Sequence, residues 1–131
     1  MRIMVIDDDS TLLFIFRNQI EKIEDIEIVN ESRNGLEALS FLKVAIDSSS
    51  GCPDLIVLDL NMPVMDGWDF LNEYGKLCDN GASEVPICIL SSTINQADFD
   101  HASTYDSVKT FFSKPVTSGQ LKTMKKISEI C

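Results

Sequence analysis

A chain of 131 residues with 44% apolar content has the size and substance for one compact domain with a single core. Lys and Arg number 11 against 21 Asp and Glu, and the resulting net charge of −10 repels phosphate backbones, which argues against direct nucleic-acid binding and favours cationic partners or metal ions. No run approaches the roughly 18 apolar residues of a bilayer span, and the N-terminus enters a strand pattern without a signal-like segment, so a cytoplasmic location with no membrane association is expected. Cys52, Cys78, Cys88 and Cys131 form no Cys-x-x-Cys pair, which points to neither a zinc site nor a redox motif.

Residues 1–6 are apolar apart from Arg2 and run into Asp7-Asp8-Asp9-Ser10, a first strand ending in acids with Asp9 or Ser10 placed to cap a helix. Leu12, Ile15, Phe16, Gln19, Ile20 and Ile23 follow at helical spacing, leaving Leu13 and Phe14 off that stripe. Residues 26–29 read as a short second strand, placed at an edge by the charge within it. After the Asn34-Gly35 break, Leu36, Leu39, Leu42, Ala45 and Ile46 mark a second helix, widened by Phe41 and Val44. Residues 47–51 form a polar loop too short for an interdomain linker.

The central stretch begins at Pro53. Leu55-Ile56-Val57-Leu58 between Asp54 and Asp59 reads as a strand buried on both faces, and Asn61, Pro63 and Asp66-Gly67 bend the chain directly after Asp59. Trp68, Phe70, Leu71, Tyr74 and Leu77 mark a third helix closed by Asn80-Gly81. Residues 86–92 form a fourth strand with hydroxyls at its carboxyl end, and residues 94–105 a weak fourth helix rich in Asp, Asn and Ser. Residues 108–112 form the fifth strand, followed by Ser113-Lys114-Pro115; Leu121, Met124, Ile127 and Ile130 form the last stripe. Strands alternating with helices predict a single α/β domain over residues 1–131, with a doubly wound five-stranded parallel sheet covered by helices on both faces.

In such a sheet Asp7, Asp8, Asp59, Ser91 and Lys114 all fall at carboxyl strand ends, where open α/β folds bind their ligands. Taken singly, Asp7–Asp9 could merely enrich a helix N-terminus in acid, Ser91 could end a strand for turn reasons, and Lys114 could be solvated. Together they change the reading. Carboxylates gathered in one crevice repel and raise one another's pKa unless a cation joins them, and Mg²⁺, which takes oxygen ligands, is the natural one. With Lys114 adding positive charge and Ser91 a hydrogen bond, Asp59 could attack a phosphoryl group as a carboxylate nucleophile.

The ordered set Asp7-Asp8, Asp59 with Met62-Pro63-x-Met65-Asp66-Gly67, Ser91, and Lys114-Pro115 resembles two-component response-regulator receiver domains over essentially the whole chain. The resemblance implies a flavodoxin-like three-layer sandwich with strand order 2-1-3-4-5. It implies phosphorylation of Asp59, Mg²⁺ held by Asp8, Asp59 and the Asn61 backbone carbonyl, and Asp7 orienting water on the metal. Ser91 matches the switch hydroxyl, Phe111 the switch aromatic, and Lys114 the site lysine, with a cis Lys114-Pro115 bond. Phe111 departs from the tyrosine common in the family and cannot make a hydroxyl hydrogen bond. Ser92 stands where a smaller residue is more usual, and Asn61 and Thr93 occupy positions that tune dephosphorylation.

The implied partners are a sensor histidine kinase or histidine-phosphotransfer protein upstream and an unidentified protein target downstream. Leu13 and Phe14, off the stripe and beside the acids, are expected to contact the helical phosphodonor. His101 reads as exposed and non-catalytic, and Trp68 and Tyr74 as packing residues. No output domain is expected after Cys131. The chain is thus expected to be a phosphoacceptor switch and not an enzyme. One rival is an aspartyl-phosphate phosphatase, which needs a second acid where Asn61 stands. The other is a receiver-like interaction module that is never phosphorylated.

Overall fold

The computed structural model describes residues 1–48, 52–62, 64–79, 84–92 and 95–130, and the side chains of all of these except 47, 48 and 130. In chain order the elements are β1 (Arg2–Ile6), α1 (Ser10–Glu21), β2 (Glu27–Ser32), α2 (Gly35–Ser48), β3 (Leu55–Leu58), α3 (Gly67–Asp79), β4 (Ile87–Ser91), α4 (Gln96–Ala102), β5 (Val108–Ser113) and α5 (Ser118–Ile130). The five strands pair in parallel in the order β2-β1-β3-β4-β5, the flavodoxin-like order that the family resemblance implies. No helix among the described residues is long and apolar enough to cross a membrane.

Period-two alternation splits the core into two layers. Met4, Ile6, Ile56, Leu58, Ile87 and Ile89 face α2 and α3, meeting Ala38, Leu39, Leu42, Phe70, Leu71 and Tyr74. Ile3, Val5, Leu55, Val57, Cys88 and Leu90 face the other way, onto Leu12, Leu13, Phe16 and Ile20 of α1 and Leu121 and Met124 of α5. Burial on both faces is why residues 3–6, 55–58 and 87–90 read as unbroken apolar runs.

Helix starts follow side-chain capping. Asp9 Oδ1 accepts from the amides of Thr11 and Leu12, Asn34 Oδ1 from Glu37, Asp66 Oδ1 from Asp69, and Asn95 Oδ1 from Asp98. Each such cap satisfies an amide that has no partner within the helix.

Several expectations need correction. The buried stripe of α1 is Leu12, Leu13, Phe16 and Ile20, whereas Ile15 is exposed together with Phe14. Leu36 and Val44 of α2 also face outward. The edge strand β2 runs to Ser32, three residues past the apolar segment, because Asn30, Glu31 and Ser32 continue the backbone ladder opposite Met4, Val5 and Ile6. Helix α4 is shorter than expected, ending at Ala102. Pro63, Asn80-Gly81, Thr93 and the loop residues 49–51 lie outside the described residues.

Candidate functional site

Backbone hydrogen bonds extend the sheet one step beyond the strands and thereby place the chemistry. The amide of Asp7 donates to Ser32 O at 2.9 Å, that of Asp59 to Ile6 O at 2.9 Å, and that of Lys114 to Ser91 O at 2.8 Å. Each polar residue is therefore held by the ladder of its neighbour strand at the same carboxyl edge. Behind them, Gly67 lets α3 start hard against the β3 end: a Cβ there would lie 2.6 Å from Asp59 O and 2.8 Å from Leu60 Cα. The connecting loop turns through Val64 at φ 71°, an unfavourable conformation for a β-branched residue.

One oxygen from each of Asp7, Asp8 and Asp59 lies within 4.8 Å of the others. Asp7 and Asp59 are only 2% and 4% exposed, whereas Asp8 faces solvent. Lys114 Nζ reaches between the buried pair, 2.8 Å from Asp7 Oδ2 and 3.4 Å from Asp59 Oδ1. Asp7 Oδ1 also accepts from the Asp9 amide at 2.9 Å.

Burial, followed by the negative charge of Asp7, pushes the Asp59 carboxyl up to about 6 against the pull of Lys114 and of the Asn61 backbone amide that donates to it. Burial likewise raises Asp7, although Lys114 and the Asp9 amide oppose the rise. Burial works against the charge on Lys114, but hydrogen bonds and attraction from Asp7 and Asp59 outweigh it and raise its pKa. One ammonium thus leaves the pocket short of positive charge. An all-oxygen donor set with that deficit fits a hard divalent cation such as Mg²⁺, which takes a few carboxylates and retains waters.

The structure brings Asp7, Asp8, Asp59 and Lys114 together as the sequence pattern requires. Ser91 is fully buried at the β4 end of the same edge. The Lys114-Pro115 bond is cis. Phe111 is half-buried on β5, packed against the α2/α3-side core and 6.2 Å from the ring of Phe99.

The expected Leu13–Phe14 contact surface is corrected. Leu13 is 2% exposed and belongs to the core beneath α1, while Phe14 is 60% exposed beside Ile15. Consecutive apolar residues at the start of a helix cannot all face the sheet, and their hydrophobicity alone does not set the phase. His101 is exposed as expected but not isolated. Its ring stacks on Trp68, with centroids 4.1 Å apart, a contact between helices that local sequence spacing does not reveal.

The family model for the response regulator receiver domain matches residues 3–126. Chemotaxis protein CheY1 of Helicobacter pylori strain J99 is 30% identical over 122 residues, covering 93% of this chain and 91% of that protein. A protein-glutamate methylesterase/protein-glutamine glutaminase of Caldanaerobacter subterraneus is 35% identical over 92 residues, 70% of this chain but 22% of the relative. The chain spans about a quarter or less of the methylesterases it matches. A two-component response regulator from Cytophaga hutchinsonii superposes with a TM-score of 0.89 at 24% identity, over 99% of this chain and 97% of that one, sharing the fold. With acids, lysine and sheet order arranged as above and the family model spanning nearly its whole length, this chain belongs to the response regulator receiver domains of two-component signalling.

Proposed function

We propose that the protein is a phosphorylation-controlled switch that accepts a phosphoryl group on Asp59. The observation that carries this reading is the convergence of Asp59 with two further carboxylates and the Lys114 ammonium in one pocket at the carboxyl edge of the sheet. Asp59 Oδ attacks phosphorus, the bond from phosphorus to the donor's leaving atom breaks, and the leaving group departs with that electron pair. Lys114 and the hydroxyl of Ser91 meet the charge on the phosphoryl oxygens. Asp8, Asp59 and the Asn61 carbonyl would hold Mg²⁺, with Asp7 supporting it through water. The ion supplies charge neutralisation between carboxylate and phosphoryl group.

The donors that fit are a sensor histidine kinase or a histidine-phosphotransfer protein, docking near Phe14. The output follows from Ser91 and Phe111: inward movement of the hydroxyl frees space for the ring, which changes the face that β5 presents to a protein target in the cytoplasm. The protein then acts as a switch and not as an enzyme. Asn61, which lacks the acid that would protonate a leaving group, counts against phosphatase chemistry.

Incubation with acetyl phosphate and Mg²⁺, read by intact mass, tests the proposal. Wild type gains one phosphoryl group, whereas Asp59→Asn and EDTA-treated samples do not. Equal labelling of Asp59→Asn, or no labelling of wild type, contradicts it.

A further inference from the structure

Helix α4 is poorly equipped to hold itself in place. It has seven residues, Gln96–Ala102, with Ala102 its buried residue, and so short a helix is marginal without outside support. Support comes from a ring cluster outside the acid site. The His101 ring lies nearly parallel to Trp68, at 16°, with centroids 4.1 Å apart. Tyr105, just beyond α4, stacks at 6.3 Å from Trp68, and its hydroxyl donates to Asn72 Oδ1 of α3 at 2.8 Å.

The two ends of this cluster reach functionally different places. Trp68 directly follows Gly67, whose amide donates to Leu60 O at 3.0 Å and where a Cβ would lie 2.6 Å from the Asp59 carbonyl oxygen. Two residues before His101, the half-exposed Phe99 lies 6.2 Å from Phe111, and both line a cavity of about 80 Å³ with Ala102 and Val108. Ring contacts joined by the α3 and α4 backbone therefore link the Asp59 loop, through Trp68 and His101, to Phe99 and Phe111.

We propose that Trp68 and His101 form a latch that holds α4 on the first turn of α3 and transmits the state of the Asp59 loop to the Phe99–Phe111 surface. The transmission half rests on Asp59 being the phosphoacceptor; the holding half does not. The stack carries the latch, because His101 itself is exposed and lies outside the buried core. A pair of this kind shifts a local equilibrium by up to about tenfold.

Hydrogen exchange on the full chain tests the latch. In His101→Ala without any phosphodonor, the amides of Phe99 and Ser103, which donate within and at the end of α4, exchange about five- to tenfold faster than in wild type, while those of β1 and β3 are unchanged. His101→Phe, which keeps a stacking ring, restores protection. Unchanged α4 exchange in His101→Ala, loss of protection spread evenly over the sheet, or failure of His101→Phe to restore it overturns the latch.

Trp68 is the sole tryptophan, so its emission reports the stack directly. Acetyl phosphate and Mg²⁺ change that emission in wild type, and the change is largely absent in His101→Ala. A phosphorylated wild type with unaltered emission and unaltered α4 exchange overturns the transmission. A wild type that does not label removes the phosphoacceptor reading instead, while the exchange comparison still decides the latch.

Discussion

Lys114 and Asp7 form the tighter ion pair of the acid pocket: Nζ lies 2.8 Å from Asp7 Oδ2 against 3.4 Å from Asp59 Oδ1. The amine is thus anchored on Asp7 and spans to Asp59, the proposed phosphoacceptor. Lys114→Met leaves two buried carboxylates without their counter-charge, at a cost of about 1–3 kcal/mol at pH 8. Below about pH 6 the loss shrinks, because Asp59 takes up a proton and no longer needs the ammonium. Urea unfolding in EDTA at both pH values measures this difference.

The raised pKa of Asp59 makes it a destabilising group in the metal-free protein. Its carboxyl binds a proton in the native state up to about pH 6 but in the unfolded chain only up to its ordinary value of 3.8. Between these values the native state holds more protons, so stability falls as pH rises and the full loss is present above pH 6. Asp59→Asn removes up to about 3 kcal/mol of this penalty at pH 7.5. Thermal unfolding in EDTA should therefore show the variant more stable than wild type at pH 7.5, with the gap closing towards pH 4.

Mg²⁺ should reverse that order. A cation that binds only the native state stabilises by about 2.7 kcal/mol at a hundredfold excess over its dissociation constant. The Tm of wild type rises with added Mg²⁺, and Asp8→Asn and Asp59→Asn lose most of the rise. Protonation of Asp59 competes with the ion, so the wild-type shift weakens below pH 6.

Gly67→Ala places a methyl group against the Asp59 carbonyl and Leu60 Cα, both backbone atoms that cannot rotate away. Overpacking of this kind costs about 1–3 kcal/mol. Because one displaced atom is the carbonyl oxygen of Asp59, the proposed phosphoacceptor, the labelling rate with acetyl phosphate also falls, whereas a change on the exposed side of α3 such as Lys76→Ala leaves that rate unaltered.

Phe14 and Leu13 separate a docking role from a packing role. Phe14→Ser slows phosphoryl transfer from a cognate histidine-containing donor and leaves labelling by acetyl phosphate and the Tm near wild type. Leu13→Ser, by contrast, empties a core position and costs about 2–4 kcal/mol. Transfer kinetics and thermal unfolding of the two variants, measured side by side, distinguish the roles.

Where local chemistry dictates structure, the sequence is legible. Leu55–Leu58 is apolar throughout because its strand is covered on both faces, and the acids and lysine stand directly after strands that bring them to one edge. Legibility fails where structure depends on a remote partner. Leu13, Phe14 and Ile15 are similarly apolar, so only the sheet beneath α1 decides that Leu13 turns inward. Asn30–Ser32 carries no strand pattern and is held by β1 and by the Arg17–Glu31 ion pair from α1. The Trp68–His101 stack joins residues on different helices and leaves no periodic trace.

The central claim is most directly tested by trapping the acyl phosphate. After exposure to acetyl phosphate and Mg²⁺, borohydride reduction converts a phosphorylated aspartate to homoserine, which peptide sequencing by mass spectrometry locates. Homoserine at position 59 alone, absent when EDTA is present, is the predicted result. Homoserine at position 7 or 8, or none at all in protein that has demonstrably bound Mg²⁺, would contradict the account.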